Sequence, residues 1–165
     1  RSDEVNAWCM PGGKIAVYTG LIEKLQATDA ELAAVIGHEI AHALREHARE
    51  RASEQVTSGL LLQGAVLLAG GGRAALDMAQ LAYQVTVGLP HSRLHETEAD
   101  RIGVELAARA GYDPRGAISV WQKMAKLGGA GQPEFLSTHP SAETRMQDLE
   151  VYAQRVEPLY RAAAR

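Results

Sequence analysis

The chain has 165 residues, 46% of them apolar, a formal net charge of −3 at pH 7 and a single cysteine, Cys9. That is enough hydrophobic material for one compact domain spanning 1–165. Acidic and basic side chains are interspersed, which argues against a nucleic-acid partner, and one cysteine closes no internal disulfide and says nothing about compartment.

In chain order, Arg1 stands where an initiator methionine would, and residues 1–6 carry no signal-peptide pattern. A targeting or anchoring segment is therefore expected outside this stretch, and with it any membrane association. Val5 to Leu21 holds the turn signal Pro11-Gly12-Gly13 followed by the β-branched and aromatic run Lys14 to Thr19, which predicts a hairpin or a pair of short strands. Thr28-Asp29-Ala30-Glu31 has capping-box spacing and opens a run with Leu32, Val35, Ile36, Ile40, Ala43 and Leu44 at helical intervals. The pattern predicts one long helix continuing into the charged stretch Arg45 to Glu54.

Val56 to Leu89 is rich in Ala, Leu, Gly and Val, and Gly70-Gly71-Gly72 divides it into two predicted helical pieces closed by Pro90. Its oiliest part, Gly59 to Gly72, is shorter than the roughly 20 residues of a membrane-spanning helix, so no transmembrane span is expected. A further helix is predicted from about Ser92 to Ala110, with Gly111 as its C-terminal cap. Another runs from Asp113-Pro114 to about Leu127. Gly128 to Pro140 reads as a loop and Ser141 to about Val156 as a final helix. The fold class is mainly α with one small antiparallel β-sheet.

Within the first long helix, His38 and His42 are four residues apart and share one face, so two imidazoles can grip one cation. Glu39 lies about 100° around the helix, where its carboxylate can reach a metal-activated water without occupying a coordination site. A catalytic zinc site takes three protein ligands, so a third must come from elsewhere. Candidates cluster at His91, His95, Glu96, Glu98 and Asp100. Glu96 and Asp100 share a helical face, which suits Glu96 as ligand and Asp100 as acceptor from the far nitrogen of a ligand histidine. Spacing alone leaves His95 open as an alternative. Glu98 is expected in solvent or paired with Arg101 or Arg93, and His47 on a solvated helix surface.

Four ordered blocks resemble peptidase family M48 of the gluzincins, in particular its soluble, exported bacterial branch related to the family's mitochondrial inner-membrane peptidase. They are Asn6 to Gly13 with Tyr18-Thr19-Gly20-Leu21, His38-Glu39-Ile40-Ala41-His42, Ser92-Arg93 with Glu96 to Asp100, and Ser137-Thr138-His139-Pro140 with Arg145. The resemblance implies a zincin-like fold, one Zn²⁺ per chain on His38, His42 and Glu96, and a place beside them for Asp100. It sets His139 near the metal, either stabilising the reacting carbonyl or plugging the zinc. Arg145 then holds the loop or an acidic residue. The edge strand Gly13, Lys14, Ile15, Ala16 and Val17 is implied to bind extended substrate by strand addition.

The expected reaction is hydrolysis of peptide bonds in unfolded or misfolded envelope proteins, with Glu39 as general base. The resemblance implies a periplasmic location, with outer-membrane association as an extension of it. The competing reading is a non-catalytic, zinc-containing module of chaperone type that holds unfolded chains, for which a closed four-ligand site would be the sign.

Overall fold

A computed structural model describes residues 1–10, 12–127, 133, 135, 136, 139 and 143–164. Strands β1 (Ala7–Met10) and β2 (Lys14–Val17) form an antiparallel pair, followed by helices α1 (Thr19–Leu25), α2 (Asp29–Leu44), α3 (His47–Leu68) and α4 (Arg73–Tyr83). A π-helical turn at Gln84–Gly88 leads into α5 (Leu89–Arg109), then α6 (Gly116–Leu127) and α7 (Glu143–Ala163). The mainly helical fold with one small sheet is the expected class. Pro11, most of the expected loop Gly128 to Pro140, with Ser137, Thr138 and Pro140 of the fourth block, and the expected helix start Ser141 lie outside the described residues.

The chain divides into two compact units, one of residues 1–45 and 96–165, the other of residues 46–95. The first unit holds the apolar core, in which Leu21, Val35, Val104, Val120, Met124, Phe135, Leu149 and Val156 are buried together. Its α2 starts at the expected capping box: Thr28 Oγ1 accepts from the Glu31 backbone and Glu31 Oε2 from the Thr28 N–H. Glu31 then reaches α6, where Lys123 Nζ sits 2.7 Å from Oε2 and Ser119 donates to Oε1, so one buried carboxylate caps a helix and ties it to another.

The crossing of α2 with α5 positions the site. A Cβ on Gly37 would lie 2.6 Å from the Gly103 carbonyl oxygen, and one on Gly103 would lie 2.6 Å from the His38 nitrogen. Only two glycines let the backbones approach this closely, and Gly37 precedes His38 while Gly103 follows Asp100 by one turn.

Several expected boundaries are corrected. The long helix breaks after Leu44: Arg45 ends α2, Glu46 takes a left-handed φ of 54°, and α3 begins at His47. No glycine or proline marks this break, so the sequence carries no stop signal there. Pro90 does not close a helix but lies in the first turn of α5, after the π-helical turn, where the missing N–H of proline is accommodated. Thr19 to Leu21, read as the end of a hairpin, instead open the helix Thr19–Leu25, in which Gly20, Leu21 and Leu25 are buried. The Gly70–Gly72 break and the Gly111 cap, with φ of 84°, are as expected. The helix expected from Asp113-Pro114 forms its regular turns only from Gly116, after Asp113 Oδ1 accepts from the Arg115 N–H.

Candidate metal centre

From α2, His38, Glu39 and His42 all point inward, with exposures of 4%, 2% and 8%, and from α5 Glu96 and Asp100 are buried with them. The three expected ligands meet. His42 Nε2 lies 3.1 Å from His38 Nε2 and 3.3 Å from Glu96 Oε1, and His38 Nε2 lies 3.4 Å from Glu96 Oε2. His139 joins them: its Nδ1 is 3.2 Å from His38 Nε2 and 3.1 Å from Glu96 Oε2.

Four donors around a metal with bonds of about 2.0–2.1 Å stand about 3.3–3.4 Å apart along the edges of a tetrahedron. Five separations here, 3.1 to 3.4 Å, are of that size, those to Glu96 being divided between its two oxygens, and one donor atom from each of the four residues lies within 4.8 Å of the others. Two imidazole nitrogens this close share either a proton or a cation, and the donor set of three imidazoles and a carboxylate fits a divalent metal.

The outer groups set the orientation of the donors. Asp100 Oδ1 lies 3.0 Å from His38 Nδ1, which donates to it and leaves the Nε2 lone pair facing the cluster. Arg145, 5% exposed, donates from Nε to Asp100 Oδ2 at 2.7 Å and from Nη2 to Oδ1 at 2.8 Å, and its Nη1 is 3.3 Å from Glu96 Oε2. Arg145 thus holds two acidic residues, Asp100 and Glu96.

Glu39 stands apart from the donors. The Cys9 backbone N–H bonds its carboxylate, while Oε1 is buried without a hydrogen-bond partner, 3.4 Å from His139 Nε2. Burial raises its pKa above the ordinary carboxylate value, offset in part by His139 and His38. A buried, under-bonded carboxylate of raised basicity beside the donor cluster is suited to take a proton.

The remaining titrations follow from the same packing. For His38 burial alone would lower the pKa, but bonds to Asp100 and Glu96 outweigh it and raise the value to about 9. For His42 burial prevails and the pKa falls to about 4. Glu96 is held far below the usual carboxylate range, because His139, His38 and His42 together overcome its desolvation. In the metal-free protein His38 therefore carries a proton below its raised pKa, and a metal must displace it. Apparent metal affinity is expected to rise about tenfold per pH unit between the His42 and His38 values and to level off above the latter. Competition against a chelator at a series of pH values measures this, and a flat profile would refute it.

Other expectations need correction. The backbone that bonds Glu39 is that of Cys9 in β1, the strand paired with the expected substrate edge Gly13 to Val17. Tyr18 N–H bonds Asn6 C=O, and pairs alternate along an antiparallel ladder, so residues 6, 8 and 10 bond β2 while Ala7 and Cys9 turn their backbone groups outward. Gly13 lies in the turn, its N–H bonded to Met10 C=O. Glu98 pairs with Arg45 at 2.7 Å, a partner that the expectation of solvent, Arg101 or Arg93 did not name. His47 is buried at 1% exposure and stacks on His95 with ring centroids 4.2 Å apart. His95 is not in the donor cluster; it lies near Glu50.

The sequence reading overlooked three contributors. The Cys9 N–H is a backbone donor and leaves no side-chain pattern. Phe135 stacks on His139 at 4.5 Å, and Trp121 lies under the Arg145 guanidinium at 4.3 Å. The four-residue spacing of Phe135 and His139, whose N–H bonds Phe135 C=O, is a helical-face signal that could have linked them.

Comparison with known proteins agrees with this geometry. The model of Peptidase family M48 matches residues 1–153. The chain is 43% identical over 144 residues to the mitochondrial metalloendopeptidase OMA1 of Arabidopsis thaliana, covering 86% of this chain and 28% of that protein. It is 34% identical over 161 residues to the protein of the same name from Saccharomyces cerevisiae, covering 94% and 45%. To the beta-barrel assembly-enhancing protease of Escherichia coli it is 30% identical over 169 residues, covering 96% and 34%. The chain thus spans less than half the length of each of these relatives.

Proposed function

Because the chain belongs to peptidase family M48, we propose that it is a zinc-dependent endopeptidase that cleaves unfolded or misfolded polypeptides. The observation that carries the reading is the position of Glu39, buried, with one oxygen unbonded, against the four-donor cluster. His38, His42 and Glu96 would hold the zinc, which when bound polarises the scissile carbonyl and makes water more acidic. Glu39 takes the proton of the attacking water and delivers it to the leaving amine. Asp100 keeps His38 in the tautomer that presents Nε2, and Arg145 holds Asp100. The family domain is proposed to include both units, since its match spans residues 1–153.

Substrate is proposed to lie extended along the outer edge of β1. There the backbone of residues 7 and 9 faces away from β2 and Cys9 already touches Glu39. Recognition through backbone hydrogen bonds is largely indifferent to side chains and requires an unfolded segment, which supports a broad substrate class. We place the enzyme in the bacterial envelope, a reading supported by the beta-barrel assembly-enhancing relatives; the OMA1 relatives are mitochondrial by name. Cell fractionation finding the protein in the cytoplasm would overturn it. No helix among the described residues is long and apolar enough to cross a membrane.

His139 stands at the fourth donor position, which supports a self-inhibited resting state and also favours the second reading, a closed zinc site in a module that holds chains without cutting them. Cleavage of denatured casein separates them. His139→Ala is expected to retain zinc and to cut faster than the wild type. Chelation should abolish the cutting and added Zn²⁺ restore it. If neither protein cuts while both hold zinc, the binding module is the correct reading; if His139→Ala alone loses activity, the residue stabilises the reacting carbonyl instead.

A further inference from the structure

The unit of residues 46–95 buries no apolar side chain: α3 buries only His47, α4 and the π-helical turn bury nothing, and the helical residues 89–95 bury His95. A small helical unit without an apolar core needs another constraint, and a bound metal is one of the few available. What this unit does bring together is imidazoles and carboxylates. His95, 5% exposed, has Nε2 3.3 Å from Glu50 Oε2, and its buried Nδ1 has no hydrogen-bond partner. His91 Nε2 lies 3.8 Å from Glu50 Oε1. One donor atom from each of Glu50, His91 and His95 lies within 4.8 Å of the others.

The arrangement repeats the logic of His38 and Asp100. His91 Nδ1 is 3.0 Å from Glu54 Oε2, and Glu54 is itself held by the Tyr83 hydroxyl at 2.8 Å. With Nδ1–H donating to Glu54, the Nε2 lone pair of His91 is directed to Glu50. Glu50 and Glu54 are one turn apart on α3, as are His91 and His95 on α5, so each helix presents a pair from one face. A cleft of about 640 Å³, lined by Glu50, Glu54, Leu61, Tyr83 and His91 among others, gives an ion access.

We propose that Glu50, His91 and His95 form a second divalent-metal site, separate from that of His38, His42 and Glu96, with Glu54 orienting His91. Two imidazoles and a carboxylate select a zinc-class transition ion over Ca²⁺ or Mg²⁺, which require more oxygen donors. The ion joins α3 to the start of α5 and takes the place of the missing core.

Metal stoichiometry after dialysis against buffered Zn²⁺ tests the site without reference to activity. Wild type is expected to retain two ions per chain, His91→Ala one, and the double variant His38→Ala/His42→Ala one. In that double variant Co²⁺ should give visible ligand-field absorption that a further His91→Ala removes, and Zn²⁺ should slow amide exchange across residues 46–95. Glu54→Gln is expected to weaken the second site by about 10- to 100-fold and leave the first unchanged. One ion in both wild type and His91→Ala, each verified as helical by circular dichroism, overturns the proposal even if the double variant fails to fold. Loss of peptidase activity with two ions still bound would instead count against the proposed function alone.

Discussion

Glu39→Gln is expected to lower casein cleavage by about 10²- to 10⁴-fold while zinc content stays at the wild-type level. The two effects separate because Glu39 is not among the four donors that meet; its Oε1 faces the cluster from 3.4 Å beyond His139 Nε2 without a hydrogen bond of its own. Gln keeps the shape and the acceptor for the Cys9 N–H but has no basic oxygen for a water proton. Burial holds the Glu39 pKa above the ordinary value, which brings its basicity closer to working pH than that of an exposed glutamate. Equal cleavage by the two proteins at equal zinc would remove Glu39 from the chemistry. Loss of zinc in the variant would show that the carboxylate holds the metal as well.

Arg145→Met is expected to destabilise the first unit by about 3–5 kcal/mol, the usual cost of removing one member of a buried ion pair. Met preserves much of the aliphatic stem, and what is lost is the guanidinium, with its hydrogen bonds, its charge and its stacking on Trp121. Left behind are Asp100, which loses two hydrogen bonds of 2.7 and 2.8 Å, and Glu96, which loses a cation at 3.3 Å, both almost wholly buried. Trp8 and Trp121, the two tryptophans of the chain, lie in the same unit as Arg145, so fluorescence during urea unfolding reports that unit. Arg145→Lys keeps the charge without the two-pronged geometry and should recover part of the loss. A change below about 1 kcal/mol in Arg145→Met would show that water or a rearranged neighbour satisfies Asp100 equally well.

Local signals were legible. The one-turn spacing of His38 and His42, the position of Glu39 between them, the Thr28–Glu31 box and the Gly111 cap each lie within a few residues, where helical geometry dictates which side chains share a face. Glu96 and Asp100 followed from the same rule within α5. Errors arose where no local signal exists. The α2–α3 break falls at Arg45 and Glu46, neither a helix breaker, and His47 reads as one of a run of charged surface residues until its stacking on His95 is known.

The sequence by itself determined that His38 and His42 share a face with Glu39 beside them, that Glu96 and Asp100 share another, and a mainly helical class, because each rests on the 3.6-residue period of a single helix. Only the tertiary structure decided which distant parts meet. It brought His139 to His38 across 101 positions, matched Arg145 to Asp100 across 45, and set β1 rather than β2 against Glu39. It also paired Glu50 with His91 and His95. Such contacts depend on how helices cross, here through the glycine contact of Gly37 and Gly103, and on which strand edge remains after pairing, quantities that a periodic pattern does not encode.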